Sequence, residues 1–412
     1  MGNVAGDASD SPSTCCTSRP ADIGSARPVV GPQAPLLVLN FDINKTIVMN
    51  NLAQQKSTEK VLGEVLSQAV WGSIEEGFFT SEWKYDEKGP SSSKPDPSAV
   101  SYSEWLKQSG VDETLREKQM GELGCEGGQY PGLAELRQEL ESVLKVPQAK
   151  LGDYRSIFQP GTPAAEQQWR YIVPAFFRCI MCLGAQRRRF VIVLRTFGKD
   201  IDKGLLDEID AFAKGEHPLY PGVGPFDGTR GRPDLRISLD VPTSHGSFYR
   251  DADGDHLVLG TLERPPPDEQ LSTMGLKYFE DKEDIKIVSG HPVISAYLSN
   301  VYTRRGALAL RDYYPFWHVS KAVAKSDASD SGKLLYIDLD DSSVHPIFFD
   351  DEIGRKDSQI IDVRDLAGKQ IAFDAVSGVH LVKCEPLDSI RDEDYFINWI
   401  VACEERRRRE NA

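Results

Sequence analysis

The chain has 412 residues, with 48 lysines and arginines against 63 aspartates and glutamates, a net charge of −15. A field of that sign repels phosphodiester backbones and argues against a general nucleic-acid binder. Hydrophobic residues make up 40% of the chain and aromatics 9%, which excludes global disorder and allows two or three ordinary domains, or one with large insertions.

Residues 1–34, rich in Gly, Ala, Ser and Pro, read as a disordered tail. Met1 and Gly2 open a stretch similar to a myristoylation signal, and Cys15 and Cys16 are acceptable palmitoylation positions. The signal's Ser or Thr, however, is replaced by Gly6. An unanchored tail is expected, since one acyl chain holds a membrane weakly. The first thirty residues contain no apolar h-region, and the longest apolar stretch, 171–185, is interrupted by Pro174 and Arg178. Neither a secretory signal nor a transmembrane segment is expected. Seven irregularly spaced cysteines fit a cytoplasmic protein with reduced thiols.

The apolar run 36–41, preceded by Pro35, predicts a strand buried on both faces. A helix over 58–70 follows, with Ser57 as its cap, then a loop at 88–95. A second helix over 132–146 carries Leu133, Leu136, Leu140 and Leu144 at spacings of three and four. Residues 164–183 read as one helix, 190–194 as a second buried strand, and 200–214 as a helix. The Gly- and Pro-rich stretch 217–233 must be loop, and 247–250 with 256–259 reads as a hairpin around an acidic turn. Pro265 to Pro267 form a stiff spacer. A helix at 292–303 and strands near 307–310, 345–349 and 359–363 complete the pattern. Strands alternating with helices predict an α/β fold, a doubly wound (Rossmann-like) parallel sheet. A helical cap insertion is expected over about 52–165, and a smaller loop and hairpin insertion over about 215–285.

Three strand ends carry chemistry. The first delivers Asp42, Asn44 and Thr46, the second Thr196, Phe197 and Gly198, and a later one Asp350 and Asp351. Ligands of open α/β sheets gather where carboxyl ends of strands meet loops. Carboxylates from two strands suit Mg²⁺, while a hydroxyl and nearby amides suit phosphate oxygens. At these residues the chain resembles the haloacid dehalogenase-like hydrolase superfamily. That family's motifs are hhhhDxDxT, a strand ending in Ser or Thr, a Lys, and a strand ending in an acidic pair. Within that resemblance the chain is similar to eukaryotic sequences with FDxNKT and FFDD signatures.

The resemblance implies that Asp42 is a nucleophile forming an aspartyl phosphate, and that Thr196, Phe197 and Gly198 hold the phosphate. It implies Mg²⁺ held by Asp42, the main-chain carbonyl of Asn44, Asp350 and Asp351. A lysine should hold the phosphoryl oxygens. Lys333, just before the apolar run 334–337, is taken ahead of Lys325 and Lys321, which the spacing does not exclude. Asn44 departs from the family, which has an aspartate there as general acid and base; an amide cannot perform that exchange. The expected activity is a Mg²⁺-dependent phosphohydrolase or phosphotransferase of a small phosphorylated molecule. The alternative is a binding protein that keeps the fold and metal site without turnover.

Other features are expected to be structural. Cys179 and Cys182 read as packed thiols, Asp251 to Asp255 as a hairpin turn rather than a calcium loop, and 406–409 as a solvated helix end. The aromatic run 313–318 is expected to pack in the core rather than line a cleft.

Overall fold

The computed structural model describes residues 34–410 except 51–55, 77–80, 87, 126–129, 131, 252, 263–272, 281, 324–330 and 355–359. The tail with Gly6, Cys15 and Cys16, the Pro265–Pro267 spacer and Lys325 lie outside the described residues, as does the side chain of Lys321.

The strands are β1 (Leu36–Asp42), β2 (Trp71–Glu76), β3 (Ser81–Tyr85), β4 (Val100–Ser101), β5 (Phe190–Thr196), β6 (His245–Asp251), β7 (Gly254–Leu259), β8 (Lys286–Ser289), β9 (Ala307–Asp312), β10 (Lys333–Tyr336), β11 (Val344–Asp350), β12 (Ile361–Arg364) and β13 (Leu381–Lys383). Eight of them form the central sheet in the order β13-β11-β1-β5-β9-β6-β7-β8. From β13 to β6 every neighbouring pair is parallel; β7 and β8 are added antiparallel.

Every residue of β1 and β5 is buried, as their continuous apolar runs demand. Alternate side chains go to opposite faces of the sheet. Leu37, Leu39 and Phe41 join a core with Phe176 and Ile180 of helix Pro174–Ala185 and Phe396 and Ile400 of helix Tyr395–Glu410. Leu36 and Val38 join a second core with Ile294, Leu298 and Val301 of helix His291–Tyr302. Helices therefore cover both faces. Phe41 anchors the first core, stacked on Phe349 at 5.0 Å and meeting Phe176 and Phe396 edge-on at 5.2 Å.

Several expectations need correction. Residues 164–183 form two helices, Pro163–Glu166 and Pro174–Ala185. Pro174 has no N–H for a continuing helix and holds Val173 extended. The backbone between the helices pairs elsewhere: Arg170 N–H donates to Leu144 O and Val173 N–H to Ile47 O, both at 2.8 Å. Ser57 does precede helix Thr58–Ala69, but its side chain makes no capping hydrogen bond. The region between β1 and β5 also contains a small antiparallel sheet, β3-β2-β4, beside its helices. Trp83 of that sheet packs against Tyr102, Trp105 and Tyr130. Helix Thr58–Ala69 crosses helix Glu113–Gly121 closely at Gly63, where a Cβ would lie 2.3 Å from Met120 O.

The hairpin β6–β7 is present, and through β6 it pairs with β9 and extends the central sheet. Arg407 departs from the expectation of a solvated helix end: it is buried, and donates to Val344 O at 2.8 Å and Asp341 O at 2.5 Å. Cys179 and Cys182 are buried and not joined in a disulfide. Among the described residues no helix is long and apolar enough to cross a membrane.

Candidate active site

From β1 the chain proceeds to β5 and β9 on one side, while β11 and β13 lie on the other. The strand order thus reverses between β1 and β11, and an open α/β sheet has its natural crevice at such a point. The pairs Phe41 with Phe349 and Asp42 with Arg195 show the register that brings the ends of β11, β1 and β5 level. A cavity of about 870 Å³ opens there, and it is lined by Asp42, Asn44, Thr196, Phe197, Gly198, Lys333, Asp350 and Asp351. These eight residues, singled out from the sequence, meet in one place; Thr46 is buried and is not among the lining residues.

Lys333, at the start of β10, is the link between strands. Its buried Nζ donates to Asp42 Oδ1, and to Asp350 Oδ2 at 2.7 Å. Burial disfavours its charge, but Asp350 and then Asp42 more than offset this, so Lys333 is held above the usual lysine range as an ammonium ion. Asp42 behaves in the opposite way. Burial pushes its carboxyl well above the usual range; Lys333 opposes the shift, and Asp350 and Asp351 reinforce it. Two acidic neighbours set against Asp42 make a setting that favours a bound cation or a proton. Asp350 Oδ1 also accepts the Glu352 N–H at 2.8 Å.

The donors here are carboxylate oxygens with the Asn44 carbonyl nearby, hard ligands whose chemistry fits Mg²⁺. Among the described residues no three His, Cys, Asp or Glu side chains are gathered as a metal cage. Mg²⁺ commonly takes only one or two protein carboxylates and completes its shell with waters and phosphate oxygens.

β1 continues into a tight turn in which Lys45 adopts φ 58° and its N–H donates to Val48 O at 2.9 Å. A lysine in the left-handed region is uncommon and carries local strain. The conformation accompanies an ion pair with Glu64 of helix Thr58–Ala69, at 2.8 Å. Lys56 binds the same Glu64 at 2.6 Å, and Glu117 at 3.1 Å. Burial opposes ionisation of Glu64, yet Lys45 and Lys56 prevail and lower its pKa. All three residues line the cavity.

The end of β5 differs from expectation in one respect. The Thr196 hydroxyl donates to Asp200 Oδ2 at 2.8 Å and accepts the Gly198 N–H at 2.9 Å. Its proton is committed, and a phosphate oxygen would have to displace Asp200. A Cβ at Gly198 would lie 2.5 Å from Asp200 Oδ2, so a larger residue there would push the Asp200 carboxylate aside. Arg311 holds the turn from β9, donating from Nε to Gly198 O at 2.8 Å and from Nη2 to Leu262 O at 3.0 Å. Its Nη1 is buried without a hydrogen-bond partner, and its side chain lines the cavity.

Asp200, Arg311, Lys56 and Glu64 are among the lining residues that sequence reasoning missed, and Lys45 entered the FDxNKT signature without a role. A signal existed for Arg311, because it sits at the carboxyl end of a fourth parallel strand. The aromatic run does both: Tyr313 and Trp317 pack against hydrophobic clusters as expected, and Tyr313, Tyr314, Pro315 and Trp317 also line the cavity, with Tyr314 46% exposed. No protein-family model matches the chain, and no curated protein or solved structure is detectably similar to it.

Proposed function

We propose that the chain is a haloacid dehalogenase-like phosphohydrolase or phosphotransferase, built on a doubly wound core and acting on a small phosphorylated molecule. One observation carries this reading: Lys333 bonds both Asp42 and Asp350 at the ends of adjacent parallel strands, inside a cavity that Thr196 also lines. Asp42 is the nucleophile, and its carboxylate oxygen bonds to phosphorus as the leaving group departs. Lys333 orients that carboxylate and neutralises part of the incoming phosphoryl charge. Arg311, another lining residue, adds positive charge to the wall that would meet the phosphate. Asp42, the Asn44 carbonyl, Asp350 and Asp351 would hold Mg²⁺, which when bound supplies charge neutralisation and binding of phosphoryl oxygens.

Two observations favour a second reading, a binding protein without efficient turnover. Asn44 cannot exchange a proton with a leaving group, and the Thr196 hydroxyl is occupied by Asp200. A panel of phosphate esters, assayed with and without Mg²⁺, separates the two. Mg²⁺-dependent release of phosphate that disappears in Asp42→Asn supports the enzyme. Binding of phosphate mimics without release or phosphoryl capture supports the second reading.

A further inference from the structure

Resting on the phosphoryl-transfer reading of the site, we infer that its substrate is an aryl phosphate, in which an aromatic ring bears the ester oxygen directly. One wall of the cavity, beside Lys333, carries aromatic rings. The Lys333 ammonium, bonded to Asp42, lies 5.3 Å from the centroid of Phe197. Phe197 stacks on Trp317 at 5.0 Å with 27° between planes, and Tyr314 adjoins both at 6.2 and 5.6 Å. A second group, Tyr249 with Tyr313 at 4.9 Å and Phe279 at 6.0 Å from Tyr249, lines the same cavity. Trp317 is half-buried, Tyr314 is 46% exposed, and both residues line the cavity. A flat apolar ligand gains most by covering such a surface, whereas a polyhydroxylated one would strand its hydroxyls against it.

Asn44 fits this class, as it fits any ester whose leaving group departs without protonation. An alkanol leaving group needs a proton as the P–O bond breaks, and position 44 has none to give. A phenol, with a pKa of about 10, departs as its anion far more readily. The step balances without a general acid. An Asp42 carboxylate oxygen forms a bond to phosphorus while the P–O(aryl) bond breaks. Its electron pair leaves on the aryloxide, which takes a proton from solvent. Water then attacks phosphorus, the Asp42 O–P bond breaks, inorganic phosphate is released, and the water's proton passes to solvent.

The test compares kcat/KM for 4-nitrophenyl phosphate and acetyl phosphate, with Mg²⁺, in the full chain and in Trp317→Leu and Trp317→Phe. Both leaving groups depart without protonation, and acetate is the better one, so a preference for the aryl ester reports the ring. The parent should favour the aryl ester at least tenfold. Trp317→Leu should cut the ratio of the two roughly five- to tenfold, and Trp317→Phe should keep most of it. The ratio does not depend on how much of a variant folds. If acetyl phosphate is turned over in an Asp42-dependent way and the ratio is near one or unmoved by Trp317→Leu, the aryl inference is overturned and phosphoryl transfer stands. If neither ester transfers phosphate to Asp42, the reading of the site fails and takes the inference with it.

Discussion

On the proposed phosphoryl-transfer reading, Asn44 sets how much chemistry the cavity can complete. General acid and base assistance is worth roughly a hundred- to ten-thousandfold in rate. A carboxyl at position 44 should recover part of that. In Asn44→Asp, turnover should rise most for alkyl phosphates, whose leaving groups need a proton, and least for aryl phosphates. Single-turnover capture and steady-state release, measured on one ester of each kind, check this, and Asp42→Asn should lose both signals. Equal gains on the two esters would mean that position 44 does not serve the leaving group.

A second residue-scale effect lies away from the cavity. His345 and His380 are buried 5.0 Å apart, each bonded to a main-chain carbonyl. Burial, with the neighbouring His380 next, pushes His345 down to about 3, and burial pushes His380 down to about 4. Both rings are therefore neutral in the fold at a pH where the unfolded chain already takes up protons. Their contribution is present above the unfolded value of about 6.5 and is lost as pH falls toward the folded values. At pH 5 the loss is roughly 2 kcal/mol for each ring. Urea unfolding at pH 7.5 and pH 5 should show the decline, and His345→Leu should flatten it.

Among the elements, β10 is positioned most indirectly. Leu334 N–H donates to Asp312 Oδ1 at 3.3 Å, and Leu334 O accepts Arg195 Nη1 at 3.0 Å. Arg195 and Asp312 are themselves a buried fork, with bonds of 2.6 and 3.0 Å. The ion pair thus ties β5, β9 and β10 together one residue from the lysine that meets Asp42. Breaking a buried pair by removing one charge costs about 3–5 kcal/mol. Asp312→Asn should lose stability on that scale in a denaturant titration. Because Lys333 then shifts, kcat should fall more than KM rises; a variant that lost only stability would keep kcat per folded molecule.

The sequence made β1, β5 and β11 legible, because a strand buried on both faces must be a continuous apolar run. Asp42, Thr196 and Asp350 follow from their ends. Asp200 was not legible: its role depends on a four-residue turn folding a carboxylate back onto Thr196, and no periodicity announces that. Lys45 and Lys56 were hidden because their partner Glu64 belongs to a helix face that only tertiary packing turns toward the cavity. The β3-β2-β4 sheet was missed because its short strands sit among helices, where alternation is weak evidence.

At the scale of the whole molecule, the cavity is a store of negative charge. Asp42 and Asp350 share Lys333, and Asp350 and Asp351 both oppose ionisation of Asp42, so charge repulsion here weighs against the compact state. A cation bound only by the folded chain stabilises it by mass action, by about 2.7 kcal/mol at a hundred times its dissociation constant. Millimolar Mg²⁺ should therefore raise the melting temperature by roughly a few degrees. Asp350→Asn should weaken the response, and Asp253→Asn, in the β6–β7 turn, should not. A melting temperature indifferent to Mg²⁺ would count against a metal at this site.

The central sheet also ends on its two shortest strands. β13 has three residues and β8 four, and Lys286 and Ser289 of β8 are exposed. A sheet edge is a template of unpaired N–H and C=O groups that can recruit a strand from another copy of the chain. Here each template is too brief to hold a guest strand in register, and one carries a lysine charge beside it. The long apolar strands most prone to stacking into fibres, β1 and β5, are sealed in the middle of the sheet with a neighbour on either side. Protection from self-association is thus built into strand order itself.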